Sequence, residues 1–161
     1  YDLAIRITRL ESSSLIARKL APFGIKVCGA PALIETVGRP ERPQDLARMP
    51  CVIDTNGRWL SNWPFIGEQG ETITVAVTGR LEANSPQTVR AAAVAGLGFA
   101  TMPDFIARPA LDDGTLVSVL DEFIPAGGGI FAVYPHRRYL PAKVRAFVDY
   151  LAQWFRKYEQ R

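Results

Sequence analysis

The amino-acid sequence predicts an α/β fold with mainly parallel sheets. Short apolar runs typical of buried strands alternate with helical patterns along all 161 residues. Hydrophobic residues make up 48% of the composition, so a proper core can form without disulfides or a metal. The length is also close to the usual size of about 100–150 residues for one domain. These observations predict a globular α/β protein.

The first twenty residues predict a strand and then a helix. An apolar run over residues 3–7 is typical of a buried strand. That run is under way at the start of the chain, which favours a fragment of a longer protein. A helix is predicted over residues 13–20, from Ser13 to Leu20, because serines cap helices and the apolar residues that follow share one side.

The next segment predicts two strands and two short helical pieces. Residues 25–30 form an apolar run that predicts a second strand. Pro31 is suited to the first turn of a short helix, and residues 43–48 predict one more helical turn. Residues 51–53 are again apolar and, with Asp54, predict a strand that leads into a polar loop.

The middle of the chain contains its clearest local signals. Residues 72–78 alternate between polar and apolar side chains, as a half-exposed strand does, and residues 79–83 are expected to continue or bend this strand. Ser85 then stands where a helix cap is expected, Pro86 where the first helical residue is expected, and Gly96 where the helix ends.

The last third predicts strands and helices in turn. Residues 98–102 predict a buried strand, and Pro103 opens a short helix. Residues 116–120 and 130–134 predict two further strands. Apolar residues at helical spacing after Pro141 then predict a long C-terminal helix.

Cysteine usage and hydropathy favour a cytoplasmic protein. Cys28 and Cys51 lie in apolar runs without a CxxC or Cys/His cluster, so buried reduced thiols are expected rather than a zinc site. No segment approaches the roughly 20 apolar residues of a membrane span, and no signal peptide opens the chain. The net charge of +3 is too small and too scattered to predict a nucleic-acid-binding face.

The motifs do not favour an enzyme or a cofactor protein. His136 is the only histidine and has no clustered cysteine or carboxylate beside it, so it is a poor metal ligand. Neither a GxSxG nucleophile elbow nor a GxGxxG or Walker loop is present. Residues 112–114 predict a turn, because the ligand spacing of a calcium loop does not follow them. The sequence therefore predicts no cofactor, no metal and no catalytic residue.

An ordered set of segments resembles the C-terminal effector-binding domain of LysR-type transcriptional regulators. Each segment alone is a modest signal, but together they follow the family's order over nearly the whole chain. The segments are DLAIRI (2–7), SSLIARKL (13–20), VCGAP (27–31), NS (84–85), AAAVAGLGFATMP (91–103), LDDGTLV (111–117), AVYP (132–135) and LPAKVRAFVD (140–149).

This resemblance implies a fold like that of the periplasmic binding proteins. Two Rossmann-like lobes would be joined by two crossover strands, near residues 27–30 and 129–134. Lobe I would comprise residues 1–29 and 129–161, and lobe II residues 30–128. Lobe I would be incomplete, because the family's opening strand and helix are absent. The family's winged helix-turn-helix is also absent, so DNA would be bound only by a part of the parent protein outside this chain.

In such folds ligands bind at the carboxyl ends of strands, in the crevice between the lobes. Several of the expected ligand-binding residues have a second interpretation. Arg6 could bind a carboxylate or be an ordinary surface arginine. Thr55 and Asn56 also suit a plain turn, Ser85 a plain cap, and Phe105 the core. The full set of candidates is Arg6, Ile7, Thr55, Asn56, Asn84, Ser85, Pro103, Phe105 and Tyr134.

The expected function is sensing of a small metabolite, and Arg6 and the helix start at Ser85 favour an anionic one. The resemblance implies homodimers or homotetramers, with the predicted helices over residues 13–20 and 86–95 (Pro86 to Ala95) at the interfaces, and no membrane partner. Trp59 and Trp63 are expected to pack in the core, with a stacking platform for an aromatic effector as the alternative. A solute-binding protein of a transport system, or a small dehydratase-like enzyme on the same fold, remains the alternative function.

Overall fold

A computed structural model describes residues 2–8, 16–57, 59–134 and 141–159. The chain divides into two compact units. Unit 1 comprises Tyr1–Gly24 and Ala126–Arg161, and unit 2 comprises Ile25–Pro125. The chain therefore passes between the units twice, after Gly24 and after Pro125.

The described strands occur singly or in runs of up to four, separated by helices. The strands are β1 (Ala4–Thr8), β2 (Ile16–Phe23), β3 (Ile25–Gly29), β4 (Cys51–Asp54), β5 (Asn62–Ile66), β6 (Thr72–Ala76), β7 (Gly79–Ala83), β8 (Phe99–Pro103), β9 (Val117–Val119) and β10 (Gly128–Tyr134). The helices are α1 (Pro31–Val37), α2 (Pro86–Val94), α3 (Asp104–Asp112) and α4 (Ala142–Glu159), with 3-10 helices at Pro43–Arg48 and Asp121–Phe123.

Unit 1 is an antiparallel sheet with one long helix. Its strand order is β1-β10-β2, and both pairings are antiparallel. Helix α4 packs against β2. Side chains of β10 that share one face, Ile130 and Ala132, meet Val144 and Val148 of the helix in a single apolar cluster. Successive side chains of a strand point to opposite faces, so every second residue of β10 contributes to this core.

The helix predicted over residues 13–20 is wrong in its described part. Residues 16–20 belong to β2, which pairs with β10 from Ile16 opposite Tyr134 to Phe23 opposite Gly128. Residues 13–15 lie outside the described residues. The local serine and apolar spacing favoured a helix, but an eight-residue ladder to a distant strand outweighed that propensity.

Unit 2 contains a mixed five-stranded sheet of order β7-β4-β8-β3-β9. Strands β7, β4 and β8 run parallel to one another, whereas β3 is antiparallel to both β8 and β9. A separate hairpin joins β5 and β6. The prediction of mainly parallel sheets therefore fails in unit 1 and holds for three of the five strands of this sheet. Residues 79–83 do not extend β6, because β7 pairs with β4 in the larger sheet.

Both faces of this sheet are covered. Cys51 and Ile53 of β4 belong to one apolar cluster, while Val52 between them belongs to another that also contains residues of α2 and α3. A strand that is buried on both faces needs apolar side chains at its buried positions, which explains the apolar run from Cys51 to Ile53 in β4. Trp63 is 1% exposed in the first cluster, with Nε1 donating to the Leu60 carbonyl at 2.9 Å. Its predicted core packing is confirmed.

Candidate functional site

Three strand ends meet at one edge of the unit 2 sheet. Because β7, β4 and β8 are parallel neighbours, their carboxyl ends lie at the same edge, and α2 and α3 both begin there. Six of the nine predicted ligand-binding residues end or follow these strands: Thr55 and Asn56 after β4, Asn84 and Ser85 after β7, Pro103 as the last residue of β8, and Phe105 in α3. The structure thus brings the unit 2 candidates to a common edge.

The loop after β4 is held by short hydrogen bonds. The Thr55 amide donates to the Ala83 carbonyl at 2.9 Å, and the Asn56 amide donates to Oδ1 of Asp54 at 2.9 Å. Nδ2 of Asn56 donates to the Asn84 carbonyl at 2.6 Å. The ends of β4 and β7 are therefore connected by both backbone and side-chain groups.

The first turn of α2 retains free donors. Oγ of Ser85 accepts from the Thr88 amide at 3.4 Å, a long bond, and also donates to the side chain of Gln87 at 3.2 Å. Pro86 has no amide hydrogen, and the Val89 amide already donates to the Ser85 carbonyl at 3.0 Å. The Gln87 amide has no intrahelical acceptor, so it and the weakly bonded Thr88 amide are available to an anion.

Two exposed side chains flank this helix start. Within the described ranges, neither the Thr55 hydroxyl nor the Asn84 side-chain amide has a hydrogen-bond partner. The nearby carboxylates of Asp54 and Asp104 instead accept from backbone amides, that of Asp104 from Phe105 at 2.7 Å. The edge therefore offers hydroxyl and amide groups together with the positive end of α2.

The end of β8 differs from expectation at one residue. Pro103 is partly buried and directly precedes α3. Phe105 is 36% exposed rather than buried in the core, so its interpretation as a core aromatic is wrong. Its ring is partly exposed at this edge.

The three predicted residues of unit 1 do not share one face of their sheet. Arg6 lies opposite Phe131 and is the third residue of β1 rather than its last. Ile7 lies opposite Ile130, on the face that carries α4, and is 51% exposed. Tyr134 is partly buried against the unit 1 core. Alternation along the strands places Arg6 on the face away from α4, and Ile7 and Tyr134 on the α4 face.

The cysteine thiols are unsuited to chemistry. Burial raises the pKa of Cys28 to about 12, and the Asp121 carboxylate contributes in the same direction. Burial also raises the pKa of Cys51 to about 12. Neither forms the thiolate that a nucleophile or metal ligand requires near neutral pH. In the part of the chain that the structure describes, no cluster of His, Cys, Asp and Glu is arranged to hold a metal, and no helix is long and apolar enough to span a membrane.

The sequence interpretation missed Asp54 and Gln87 at this edge. An aspartate two residues before an asparagine in a turn is the signal of a side-chain-to-backbone turn, which Asp54 forms with Asn56. Gln87 could have been predicted from Pro86. Proline has no amide hydrogen, so the next residue supplies the first free amide of the helix. His136, which the sequence analysis judged a poor metal ligand, lies outside the described residues.

Known proteins with similar sequences are bacterial transcription regulators. PtxR of Pseudomonas aeruginosa, an HTH-type transcriptional regulator, is 34% identical over 152 residues, which are 94% of this chain and 48% of PtxR. The HTH-type transcriptional activator TtdR of Escherichia coli is 32% identical over 158 residues, which are 95% of this chain and 49% of TtdR. The chain thus spans about half the length of these curated relatives, which are regulators rather than enzymes.

Solved structures and a family comparison agree with this similarity. The regulatory domain of AphB from Vibrio vulnificus matches with a TM-score of 0.77 and 32% identity, over 94% of this chain and 74% of that one. Residues 1–156 match the family described as the LysR substrate binding domain. The chain therefore belongs to the LysR substrate binding domain family and has the periplasmic-binding-protein-like α/β fold of its effector-binding domains.

Proposed function

We propose that this chain is the effector-binding domain of a LysR-type transcription regulator and that it senses a small anionic metabolite at the carboxyl edge of the unit 2 sheet. One observation carries the proposal: the start of α2 lies at the same sheet edge as the side chains of Thr55 and Asn84, which have no hydrogen-bond partner among the described residues. The Gln87 amide and the weakly bonded Thr88 amide, at the start of the helix, supply donors for an anion.

The chemistry of the edge favours a small carboxylate or similar anion. The first turn of α2 carries partial positive charge, while Thr55 and Asn84 can hydrogen-bond to the oxygens of a ligand. Phe105 supplies an apolar wall for the carbon skeleton. Arg6 of unit 1 remains a predicted partner of the ligand's negative charge, and Ile7 and Tyr134 remain predicted contacts.

In this proposal the two lobes are residues 1–29 with 129–161, and residues 30–128. Effector binding acts on transcription by stabilising one arrangement of the regulator over another, which requires different affinities for the two states. The DNA is bound by a winged helix-turn-helix of the parent protein, in the cytoplasm.

Helix α2 also supplies the proposed contact between subunits of a dimer or tetramer. Its outer face is flat, because the exposed residues Ala91, Val94 and Ala95 are small or short. Small side chains allow close approach of a second helix. Residues 16–20 cannot supply a matching helix, since they form part of β2.

A thermal-shift screen of small carboxylates on the 161-residue chain tests the proposed function. A ligand that binds only the folded state raises the melting temperature. We expect Asn84→Ala and Arg6→Ala each to reduce the shift without unfolding the protein, and Asn62→Ala and Arg48→Ala, which alter exposed residues of the same types elsewhere, to leave it unchanged. If the ligand raised the melting temperature of both Asn84→Ala and Arg6→Ala as much as that of the unchanged chain, the proposed site would be contradicted.

A further inference from the structure

The side chain of Asn56 is already occupied by the protein. Its Nδ2 atom lies 2.6 Å from the backbone carbonyl oxygen of Asn84. A carbonyl only accepts hydrogen bonds, so the group facing it must be the amide NH₂ of Asn56. The Asn56 side chain, which the sequence suggested as a ligand contact, therefore links the loop after β4 to the loop after β7. The two linked residues are 28 positions apart in the chain.

The position of Asn56 is itself held from its own loop. Oδ1 of Asp54 accepts from the Asn56 amide at 2.9 Å, and the Asp54 carbonyl accepts from the Gly57 amide at 3.0 Å. The Thr55 amide donates to the Ala83 carbonyl at 2.9 Å. The loop after β4 is therefore tied to the end of β7 at two consecutive residues, and its turn is closed by Asp54.

The link acts directly on the start of α2. Asn84 immediately precedes Ser85, the capping residue of that helix. The cap itself is weak, because Oγ of Ser85 is 3.4 Å from the Thr88 amide and is shared with Gln87. Holding the Asn84 carbonyl supplies a restraint that the cap alone does not provide.

We propose that Asn56 is a positioning residue, which fixes the first turn of α2 against the loop after β4 and does not itself bind the effector. The groups that contact the ligand are then the side chains of Thr55 and Asn84 and the Gln87 and Thr88 amides in the first turn of α2. The effect of this residue on an anion site depends on the proposed function, because the anion site is part of that proposal. The link itself exists without any ligand, so it can be tested separately.

Amide hydrogen exchange of the ligand-free chain, followed by NMR, tests the link. Asn56→Ala removes a hydrogen bond worth about 1 kcal/mol, which corresponds to about fivefold faster exchange where local opening controls it. We expect this acceleration at the Thr55 and Val89 amides, whose acceptors are Ala83 and Ser85. Asn62→Ala is the matched control, because Asn62 is also an exposed asparagine of unit 2, and it should leave both amides unchanged.

A sulfate titration of the same variants tests the consequence for the site. The shifts of the Gln87 and Thr88 amides are followed at constant ionic strength, with chloride as the balancing anion. Asn56→Ala should weaken sulfate binding about fivefold, in line with the lost restraint, and Asn62→Ala should not. Asn56→Ser provides a second variant if Asn56→Ala does not fold.

The outcomes separate the two proposals. Faster exchange at Thr55 and Val89 supports the positioning role even if sulfate does not bind, in which case only the proposed anion site fails. Unchanged exchange overturns the positioning role. Weaker sulfate binding with unchanged exchange would make Asn56 a direct ligand contact, which also overturns it.

Discussion

Lys26 and Asp121 form an ion pair beside the β3–β9 edge of the unit 2 sheet, with Nζ of Lys26 2.8 Å from Oδ1 of Asp121. The Ser118 hydroxyl donates to the same oxygen at 2.6 Å. Partial burial by itself would raise the pKa of Asp121. The hydrogen bonds from Lys26 and Ser118, together with the charges of Lys26 and Arg39, outweigh burial, so the pKa lies below its ordinary value of 3.8.

The Asp121 interactions make stability depend on pH. A carboxylate whose pKa is lower in the folded state contributes stability above its unfolded pKa, and this contribution is lost as pH falls through the folded value. Both side chains are more than a third exposed, so screening limits the contribution to about 1 kcal/mol at most. Asp121→Asn should lower the free energy of unfolding at pH 7 by up to that amount, with the difference shrinking below about pH 4.

Urea titrations from pH 7 down to acid conditions measure this difference. Glu35→Gln is the control, because the Glu35 side chain is exposed on α1 and has no hydrogen bond or ion pair among the described residues. A deficit of Asp121→Asn that stays constant across the pH range would contradict the assigned role of the ionised carboxylate.

The two cysteines should be inert in the folded protein. A pKa of about 12 instead of 9.0 leaves about a thousandfold less thiolate at neutral pH, and both side chains are buried. Treatment with iodoacetamide at pH 8 should label neither Cys28 nor Cys51 in the native state and both in urea. Mass spectrometry counts the labels, and rapid labelling of the native chain would show that these strands open readily.

Loss of the α2 cap should weaken the protein only slightly. Ser85→Ala removes the acceptor for the Thr88 amide, and such replacements usually lower the free energy of unfolding by about 1 kcal/mol. Because the bond is 3.4 Å long, we expect about 0.5 kcal/mol here. Urea denaturation compares this variant with Ser61→Ala, which lies outside any helix. A loss above about 2 kcal/mol would mean that Ser85 does more than cap α2.

Gly98 should tolerate no side chain, because β8 begins against the backbone that precedes β4. A Cβ atom there would lie 2.7 Å from the Pro50 carbonyl oxygen and 2.8 Å from Cα of Cys51. Gly98→Ala should cost about 3 kcal/mol or prevent folding, since backbone atoms cannot move aside as a flexible side chain can.

Gly70 provides the comparison for this substitution. Its φ is +83°, and a Cβ atom would have no neighbour within 4 Å. Gly70→Ala should therefore cost only the strain of a left-handed backbone, about 1 kcal/mol. Thermal unfolding measures how far each substitution lowers the melting temperature. Equal decreases for Gly98→Ala and Gly70→Ala would contradict the close approach at Gly98.

Local signals in the sequence were sufficient for several elements. The helix expected from Pro86 to Ala95 is present as Pro86–Val94, with Ser85 as its cap and Gly96 at φ +76° after its end. The strand expected over residues 51–54 has those bounds. Proline, serine and glycine act through the dihedral angles and hydrogen bonds of their own neighbours, so their effects can be recognised without knowing the rest of the fold.

Long-range pairing decided what the local signals could not. Ile16–Phe23 became a strand because β10 supplied a partner over its whole length, and β7 joined β4 rather than β6. The sequence by itself determined the family, the α/β class and locally signalled elements such as β4 and α2. Only the tertiary structure decided that the amide of Asn56 meets the carbonyl of Asn84, because a hydrogen bond between loops depends on which strands are neighbours, and strand order is set by the packing of the whole sheet.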